Sequence, residues 1–288
     1  RKIRRLYTPV KKMKEKIMMT IAGSDSSAGA GIQADIKSAF AAGVYCATVI
    51  TAVTSQNTCS VRAVANMSPE TVSSQIDAVL DDMNVTAVKC GMLPDKEIVE
   101  TVADKAAAGK LPGLILDPVM IASSGDQLID NNAIDALINR LLPQAALVTP
   151  NIPEACRMTG VDIRSERDFD RAAEVFRRSG CRALLLKTGH LHGKTLTDML
   201  YDFESGKVHG FEFERIDTAN THGTGCSLSA SIAARMSQGE SLRDAVQAAE
   251  EFMHMAIRRG CYRIWGDGHG PIDHFITLQE RCGGYKIS

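Results

Sequence analysis

Cysteine pairs of the metal-binding kind are missing from this chain. Its 8 cysteines contain no Cys-x-x-Cys, and the closest two, Cys46 and Cys59, stand 13 positions apart. That spacing argues against a zinc ribbon or an iron–sulfur cluster. A chain of 288 residues has no need of a disulfide frame. The cysteines therefore read as small buried hydrophobes in a reducing, cytoplasmic setting. Net charge is lacking too: 33 basic against 34 acidic side chains leave −1. Nothing in that balance points to nucleic acid or to an anionic membrane as partner. No apolar run approaches the ~18 residues of a membrane helix. The basic start (Arg1, Lys2, Arg4, Arg5, Lys11, Lys12, Lys14, Lys16) is followed only by the short apolar run 17–22, which Gly23-Ser24-Asp25 breaks. A secretory leader needs an apolar core of about 7–15 residues. Residues 1–15, which do not open on methionine, are expected to be an added or extended start, and 16–288 a single domain.

Two nucleotide motifs fail on inspection. Gly29-Ala30-Gly31-Ile32-Gln33-Ala34 fits the dinucleotide fingerprint in its Gly/Ala form, but the acid required about 20 positions later is absent. After Asp35 the next acid is Glu70. Gly189-His190-Leu191-His192-Gly193-Lys194-Thr195 has one residue too few between its glycines for a P-loop and opens a strand, not a helix. His190 and His192, two positions apart with no partners nearby, make a weak metal pair.

What is present is an ordinary core, 44% hydrophobic and 23% charged. Strands and helices alternate about six times. Strands are expected at 17–22, 46–53, 85–90, 114–116, 146–148 and 183–187, with a hairpin over 196–201 and 208–213. Helices are expected at 32–42, 69–83, 96–108, 131–142, 165–179, 227–235 and 241–259. Alternation argues α/β architecture, a mostly parallel sheet with helices on both faces. In such sheets ligands bind beyond the carboxyl ends of the strands. The polar clusters at 23–31, 54–58, 91–95, 117–120, 149–154 and 187–190 all fall there. The loop that Gly23 opens is either a tight turn or a substrate wall whose small residues let a ligand reach the backbone. The amides and hydroxyls of 54–58, Gln56 among them, are either a turn or a surface suited to a neutral heteroaromatic ring.

The stretch Asn220-Thr221-His222-Gly223-Thr224-Gly225-Cys226 carries the phosphate signal. A glycine turn opening onto a helix offers free N–H groups and a positive dipole end. Phosphoryl transfer needs charge neutralisation, an in-line hydroxyl and often a base. Gly223, Thr224, Gly225 and Cys226 can supply donors. Cys226, at the helix N-terminus, is expected to have a lowered pKa and to take the hydroxyl proton, or else to be a structural cysteine under the turn. Asp117 and Glu154 are either caps and loop acids or act through water on Mg²⁺.

Taken together, the motifs Ala22–Asp35, Val49–Asn57, Gly91-Met92-Leu93, Asp117–Met120, Thr149–Glu154, Lys187–His190 and Asn220–Cys226 resemble those of the hydroxymethylpyrimidine/phosphomethylpyrimidine kinases of thiamine biosynthesis, within the ribokinase-like superfamily. The resemblance covers residues 17–275. It implies a three-layer α/β/α sandwich, ATP and Mg²⁺ as cofactors, a small-molecule substrate and a homodimer. It implies Gly223–Cys226 as the anion hole, with Cys226 where the superfamily's sugar kinases carry a catalytic Asp. It implies a pyrimidine held by Asp35, Gln56, Met92 and Val119. Nucleotide and Mg²⁺ would fall to Asp117, Asn151, Glu154, Lys187 and Thr221. The chain departs from the family's usual loop, Asp-Pro-Ser-Gly-Gly-Ala-Gly, with Ser26 in place of Pro and Ala28 in place of Gly. The Asp-Ser-Ser form also occurs in relatives that phosphorylate pyridoxal, but these tend to lack the pair matching Gln56-Asn57. Pyridoxal kinase is thus the second reading. A non-catalytic pyrimidine sensor is the third, and the intact Gly-Thr-Gly-Cys run argues against it.

Overall fold

The structure is a computed structural model that describes residues 14–121, 129–189 and 193–275. Its centre is one sheet of nine strands: β1 (Ile17–Asp25), β2 (Cys46–Gln56), β3 (Val61–Asn66), β4 (Val85–Cys90), β5 (Leu114–Leu116), β6 (Leu147–Val148), β7 (Ala183–Leu186), β8 (Thr195–Asp202) and β9 (Lys207–Glu214). Their order across the sheet is β3-β2-β1-β4-β5-β6-β7-β8-β9. The six strands from β2 to β7 run parallel, while β3 at one edge and the β8–β9 hairpin at the other run antiparallel. Parallel strands covered on both faces are apolar at successive positions. β1 shows this directly: Ile17, Met19 and Ile21 enter one core and Met18 the other.

Among the described residues eight α-helices form the outer layers. On one face lie α1 (Gly31–Ala41), α7 (Thr224–Ser237) and α8 (Leu242–Gly260). The other carries α2 (Pro69–Asp82), α3 (Lys96–Ala107), α4 (Asn131–Ala136), α5 (Ile152–Thr159) and α6 (Phe169–Arg178). This is the expected α/β/α sandwich. The helix starts follow local chemistry. Ser68 caps α2 by accepting the Thr71 N–H, with Pro69 in the first turn, and Asp95 caps α3 through the Ile98 N–H. Among the described residues no helix is long and apolar enough to cross a membrane, and the seven cysteines there are all free thiols.

Three elements differ from expectation. β3 was not foreseen, because nearly all of it is exposed and its apolar residues do not alternate. α5 was not foreseen either, although Asn151 and Glu154 form a reciprocal capping box around it. The single helix expected over 131–142 is α-helical only to Ala136. It then widens to a π turn and tightens to a 3₁₀ turn around Pro143, which has no N–H to continue the ladder.

Beneath the carboxyl end of the sheet lies a fully buried ion pair. Lys89 of β4 donates to both oxygens of Asp35 of α1 at 2.9 and 3.0 Å, and Thr20 of β1 donates to the same carboxylate at 2.5 Å. Burial disfavours the Lys89 ammonium, but Asp35 and the other acids around it outweigh that and raise its pKa above the usual range. Lys89→Met leaves Asp35 buried without a counter-charge and should cost about 3–5 kcal/mol. The measurement is a urea midpoint at unchanged m. Adding Asp35→Leu should recover most of the loss; a single variant as stable as the parent would mean the pair does not join β4 to α1.

Candidate active site

Every described motif loop reaches one cleft of about 1060 Å³ at the carboxyl ends of the parallel strands. The sheet order reverses between β1 and β4, and the cleft opens over that point, where this architecture leaves a crevice between diverging loops. Gly23, Gln56, Met92, Val119, Asp117, Asn151, Glu154, Lys187 and Thr221 all line it. The run Gly223–Cys226 also lines it. The pair His190 and His192 lies outside the described residues.

The cradle is built by close approach. Gly223 caps α7 with φ +79, and a Cβ there would sit 1.9 Å from the Gly29 carbonyl oxygen. Only glycine fits both the backbone angle and the space. The first turn of a helix leaves its N–H groups without intrahelical partners. Thr224 turns its own back to the Thr221 oxygen at 3.2 Å, so Gly225 and Cys226 are left to face an anion. A Cβ on Gly225 would lie 3.2 Å from Lys187 Nζ, which places that ammonium against the cradle.

Asp25 organises the adjoining loop. Its Oδ1 accepts the Ser27 N–H and hydroxyl, both at 2.8 Å. Its Oδ2 accepts the Gly29 and Ala30 N–H groups at 3.1 and 2.8 Å, and pairs with His222 Nε2 at 2.8 Å. Burial opposes its ionisation, but His222, Ser27 and Ala30 together hold it at about 2. Asp25 and His222 were not singled out from the sequence, although both stand inside quoted motifs; a carboxylate three to five residues before a run of small residues is the signal that a loop is being stapled. The loop also shows why the family's usual residue at 28 is glycine. Ala28 has φ +61, the only non-glycine with positive φ among the described residues.

Lys187 donates to Asp117 Oδ1 at 3.0 Å, and Thr149 and Ser229 donate to the same carboxylate at 3.2 and 3.3 Å. Burial works against Asp117, but Lys187 and Lys89 outweigh it and hold the carboxyl below its usual range. Glu154 accepts the Asn151 N–H at 2.9 Å while burial, with the charge of Asp117, raises it to about 7. Two acids thus share one ammonium, and a divalent cation with its waters would offset the excess. Among the described residues there is no cluster of three metal-type side chains, so such an ion would lean on the nucleotide's phosphates as well.

Two expectations are corrected. Asp35 does not line the cleft: it has no exposed surface, and Lys89 and Thr20 take its carboxylate. Cys226 does not have a lowered pKa. Burial raises it; Lys89 lowers it, and Asp35 and Asp117 raise it further, leaving the thiol at about 11. The helix N-terminus does not overcome desolvation among neighbouring carboxylates.

A second acid pair was missed. Glu250 of α8 and Asp198 of β8 both line the cleft, close enough for each to shift the proton affinity of the other. Thr188 donates to Asp198 through its N–H at 2.7 Å and its hydroxyl at 3.1 Å. Glu250 Oε1 is buried without a partner among the described residues. Burial, then the adjacent Asp198, raise Glu250 well above the usual carboxyl range. Neither acid stands in a motif, and 250 carries its charge on an otherwise regular helix face.

A cleft at the topological switch point of an α/β/α sandwich, with an N-terminal helix cradle flanked by a lysine and two acids, defines a phosphotransferase of the ribokinase type. The phosphomethylpyrimidine kinase family profile matches residues 25–273, and the chain belongs to that family. It is 48% identical over 261 residues to the hydroxymethylpyrimidine/phosphomethylpyrimidine kinase of Rhizobium meliloti (strain 1021), covering 90% of this chain and 97% of that one. Two solved structures are similar. The ADP complex of Bacillus subtilis pyridoxal kinase has a TM-score of 0.82 at 33% identity, covering 91% of this chain and 98% of that one. Phosphomethylpyrimidine kinase from Clostridium difficile 630 has 0.75 at 37%, covering 84% and 100%.

Two tests follow from this geometry. Ala28→Gly removes a left-handed alanine, which costs about 1–2 kcal/mol, and adds glycine's unfolded-state entropy of about 0.5–1 kcal/mol. Stability should rise by about 0.5–1 kcal/mol on this balance, read from denaturant midpoints; a loss would mean the loop relies on the alanine methyl. The raised pKa of Glu250 has a definite sign. Its contribution is full below the unfolded carboxyl pKa and is lost as pH rises toward the folded value. Glu250→Gln should therefore gain stability relative to the parent as pH rises from 5 to 8. Parallel melting curves over that range would show Glu250 to be ionised already.

Proposed function

We propose that the protein transfers the γ-phosphoryl group of ATP to the hydroxymethyl group of 4-amino-5-hydroxymethyl-2-methylpyrimidine, and then to the resulting monophosphate, in a cytoplasmic setting. The observation that carries this is the arrangement of one cleft around one cradle. Gln56, Met92 and Val119 line it together with Gly23, Ser24, Asp25, Ala30 and Gly31, and so do Lys187, Asp117, Glu154 and Asn151; the first set would hold the ring and the second the phosphates. Gly223–Cys226 belongs to the same cleft. Such a site spends little on covalent chemistry; positioning and charge neutralisation supply most of the rate.

Each residue then has a role. The N–H groups of Gly225 and Cys226 receive the transferring phosphoryl group, and Lys187 offsets its charge. Thr221, exposed at the cleft wall, is placed to touch the nucleotide. Mg²⁺, when bound, supplies further neutralisation of phosphate charge, and Asp117 and Glu154 would hold it through water. Gln56 presents its amide to the ring, with Met92 and Val119 as apolar walls. Cys226 is the proton acceptor, drawing on its minority thiolate form.

That last role has a visible consequence. With a thiol at about 11, the accepting form increases tenfold per pH unit, so log kcat/KM should climb with unit slope from pH 7 to 9. Cys226→Ala should abolish the slope and cut kcat about 10²–10⁴-fold. A flat parental profile assigns the thiol to packing instead.

Likeness to the Bacillus subtilis pyridoxal kinase favours pyridoxal as the second reading. Pyridoxal also has a heteroaromatic ring with a hydroxymethyl group but no ring amine. Steady-state turnover of both compounds with ATP separates the two readings, and a large kcat/KM advantage for pyridoxal would overturn the pyrimidine assignment.

A further inference from the structure

The amide of Gln56 lies between two neighbours that ask for opposite ends of it. On one side Thr54 Oγ1 is 3.2 Å away. That hydroxyl has a single proton, and its 3.0 Å contact with the Ser24 carbonyl oxygen, which can only accept, commits it there. Thr54 is thus left to accept from Gln56, and the amide nitrogen belongs on its side. On the other side the far end of the amide is 3.4 Å from His222 Nε2. The same Nε2 stands 2.8 Å from Asp25 Oδ2, which also accepts the Gly29 and Ala30 N–H groups. A carboxylate already receiving two donors offers no proton, so Nε2 must carry the hydrogen, whatever the state of Nδ1. A histidine N–H facing an amide NH₂ sets two donors against each other. Turning the amide by half a revolution, which changes its shape hardly at all, lets Nε2 donate to Thr54 and sets Oε1, rather than a second donor, beside the N–H that His222 gives to Asp25.

We propose that the Asp25–His222 pair acts as a polarity lock on Gln56, which makes His222 a specificity-determining positioning residue for the ring substrate. The lock leaves the outer edge of the amide with its acceptor on the His222 side and its donor on the Thr54 side. An edge of that pattern pairs with a ring carrying an exocyclic amine beside a ring nitrogen, the amine toward His222. The reversed amide would hold the same ring turned over, with its hydroxymethyl group directed away from the position the first orientation gives it. A ring without the amine gains nothing from the lock. His222 acts through Gln56 and also joins the substrate loop to the cradle, since a Cβ on Gly29 would sit 2.1 Å from its ring.

This inference rests on the pyrimidine reading above, and the experiment separates the two. His222→Leu removes the donor and keeps the bulk against Gly29. It should raise KM for the hydroxymethylpyrimidine about 10–100-fold, the cost of the amide turning its wrong edge to the ring. KM for ATP should stay within about twofold, and the kcat/KM preference for the pyrimidine over pyridoxal should narrow by the same factor. His222→Gln, whose amide N–H replaces the lost donor, should recover most of the loss. In a Gln56→Ala background, His222→Leu should add no further change. Thr54→Val, nearly isosteric, tests the other half of the lock and should behave in the same Gln56-dependent way; it also serves should the leucine variant fail to fold. Additive losses in both cycles, or equal losses for pyrimidine and pyridoxal, overturn the lock. A parent protein that does not phosphorylate the pyrimidine overturns the substrate reading instead.

Discussion

The approach of two loops, one from each half of the chain, sets the form of the cleft. The Gly29 carbonyl lies so near Gly223 that no side chain fits between them, and five hydrogen bonds to Asp25 hold the loop at that distance. One of the five comes from His222, next to the cradle. The loop 23–31 and the glycine turn at 223 are therefore parts of a single packed unit and cannot drift apart without breaking charge-assisted bonds. Transfer between two bound molecules requires such fixity, since a misplacement of about 1 Å can cost two orders of magnitude in rate. The C-terminal segment adds to it: Asn220 donates to the Gly260 and Arg263 carbonyls and accepts the Gly270 N–H, and His222 N–H reaches the Gly270 oxygen.

Charge is distributed beneath the cleft in layers. Lys89 and Asp35 neutralise each other out of reach of solvent. Nearer the opening, Lys187 is shared by Asp117 and Glu154, and Asp198 and Glu250 lean on one another. The deepest layer is balanced, and the layers that meet the ligand are acid-rich. A site built this way is at ease when a cation or a proton arrives and under tension without one. Burial is what chiefly raises the Cys226 thiol, and the same acids add to it even at a helix start. The dipole of a helix end is a partial charge spread over a turn, whereas Asp35 and Asp117 are full charges in a poorly solvated space.

Most of the sandwich was legible in the sequence because its signals are local and strong. Short strands such as 85–90, rich in Val and Ala, and the apolar 114–116, bounded by capped helices, leave little choice. The cleft was legible because topology alone sends every strand-end cluster to the same edge. What was not legible depends on partners remote in sequence. β3 is a strand only because β2 offers it an edge. Asp35 reads as a ligand-facing acid until Lys89, 54 positions later, is found to occupy it. The glycine-rich segment after 265 reads as loose, yet Gly268 packs on the Thr58 carbonyl and Gly270 on Asn220. The missed helix α5 is a different case, since its capping box was in plain view at Asn151 and Glu154; a cap is one of the two readings of Glu154, but its partner Asn151 carries only a nucleotide role.

The cleft wall at Asn151 and Glu154 uses each side chain twice. Asn151 and Glu154 spend one set of atoms closing the first turn of α5 on each other. Both residues still line the cleft. Capping fixes their rotamers before any ligand arrives, so binding need not order two flexible side chains. Lys187 is fixed in the same way, by Asp117 and by the bridge its backbone makes to Asn151. The structural reading and the functional reading of these residues therefore do not compete. A side chain already held by the fold is the cheaper one to recruit for chemistry, and the polar residues of this cleft are, almost throughout, side chains the fold had reason to hold.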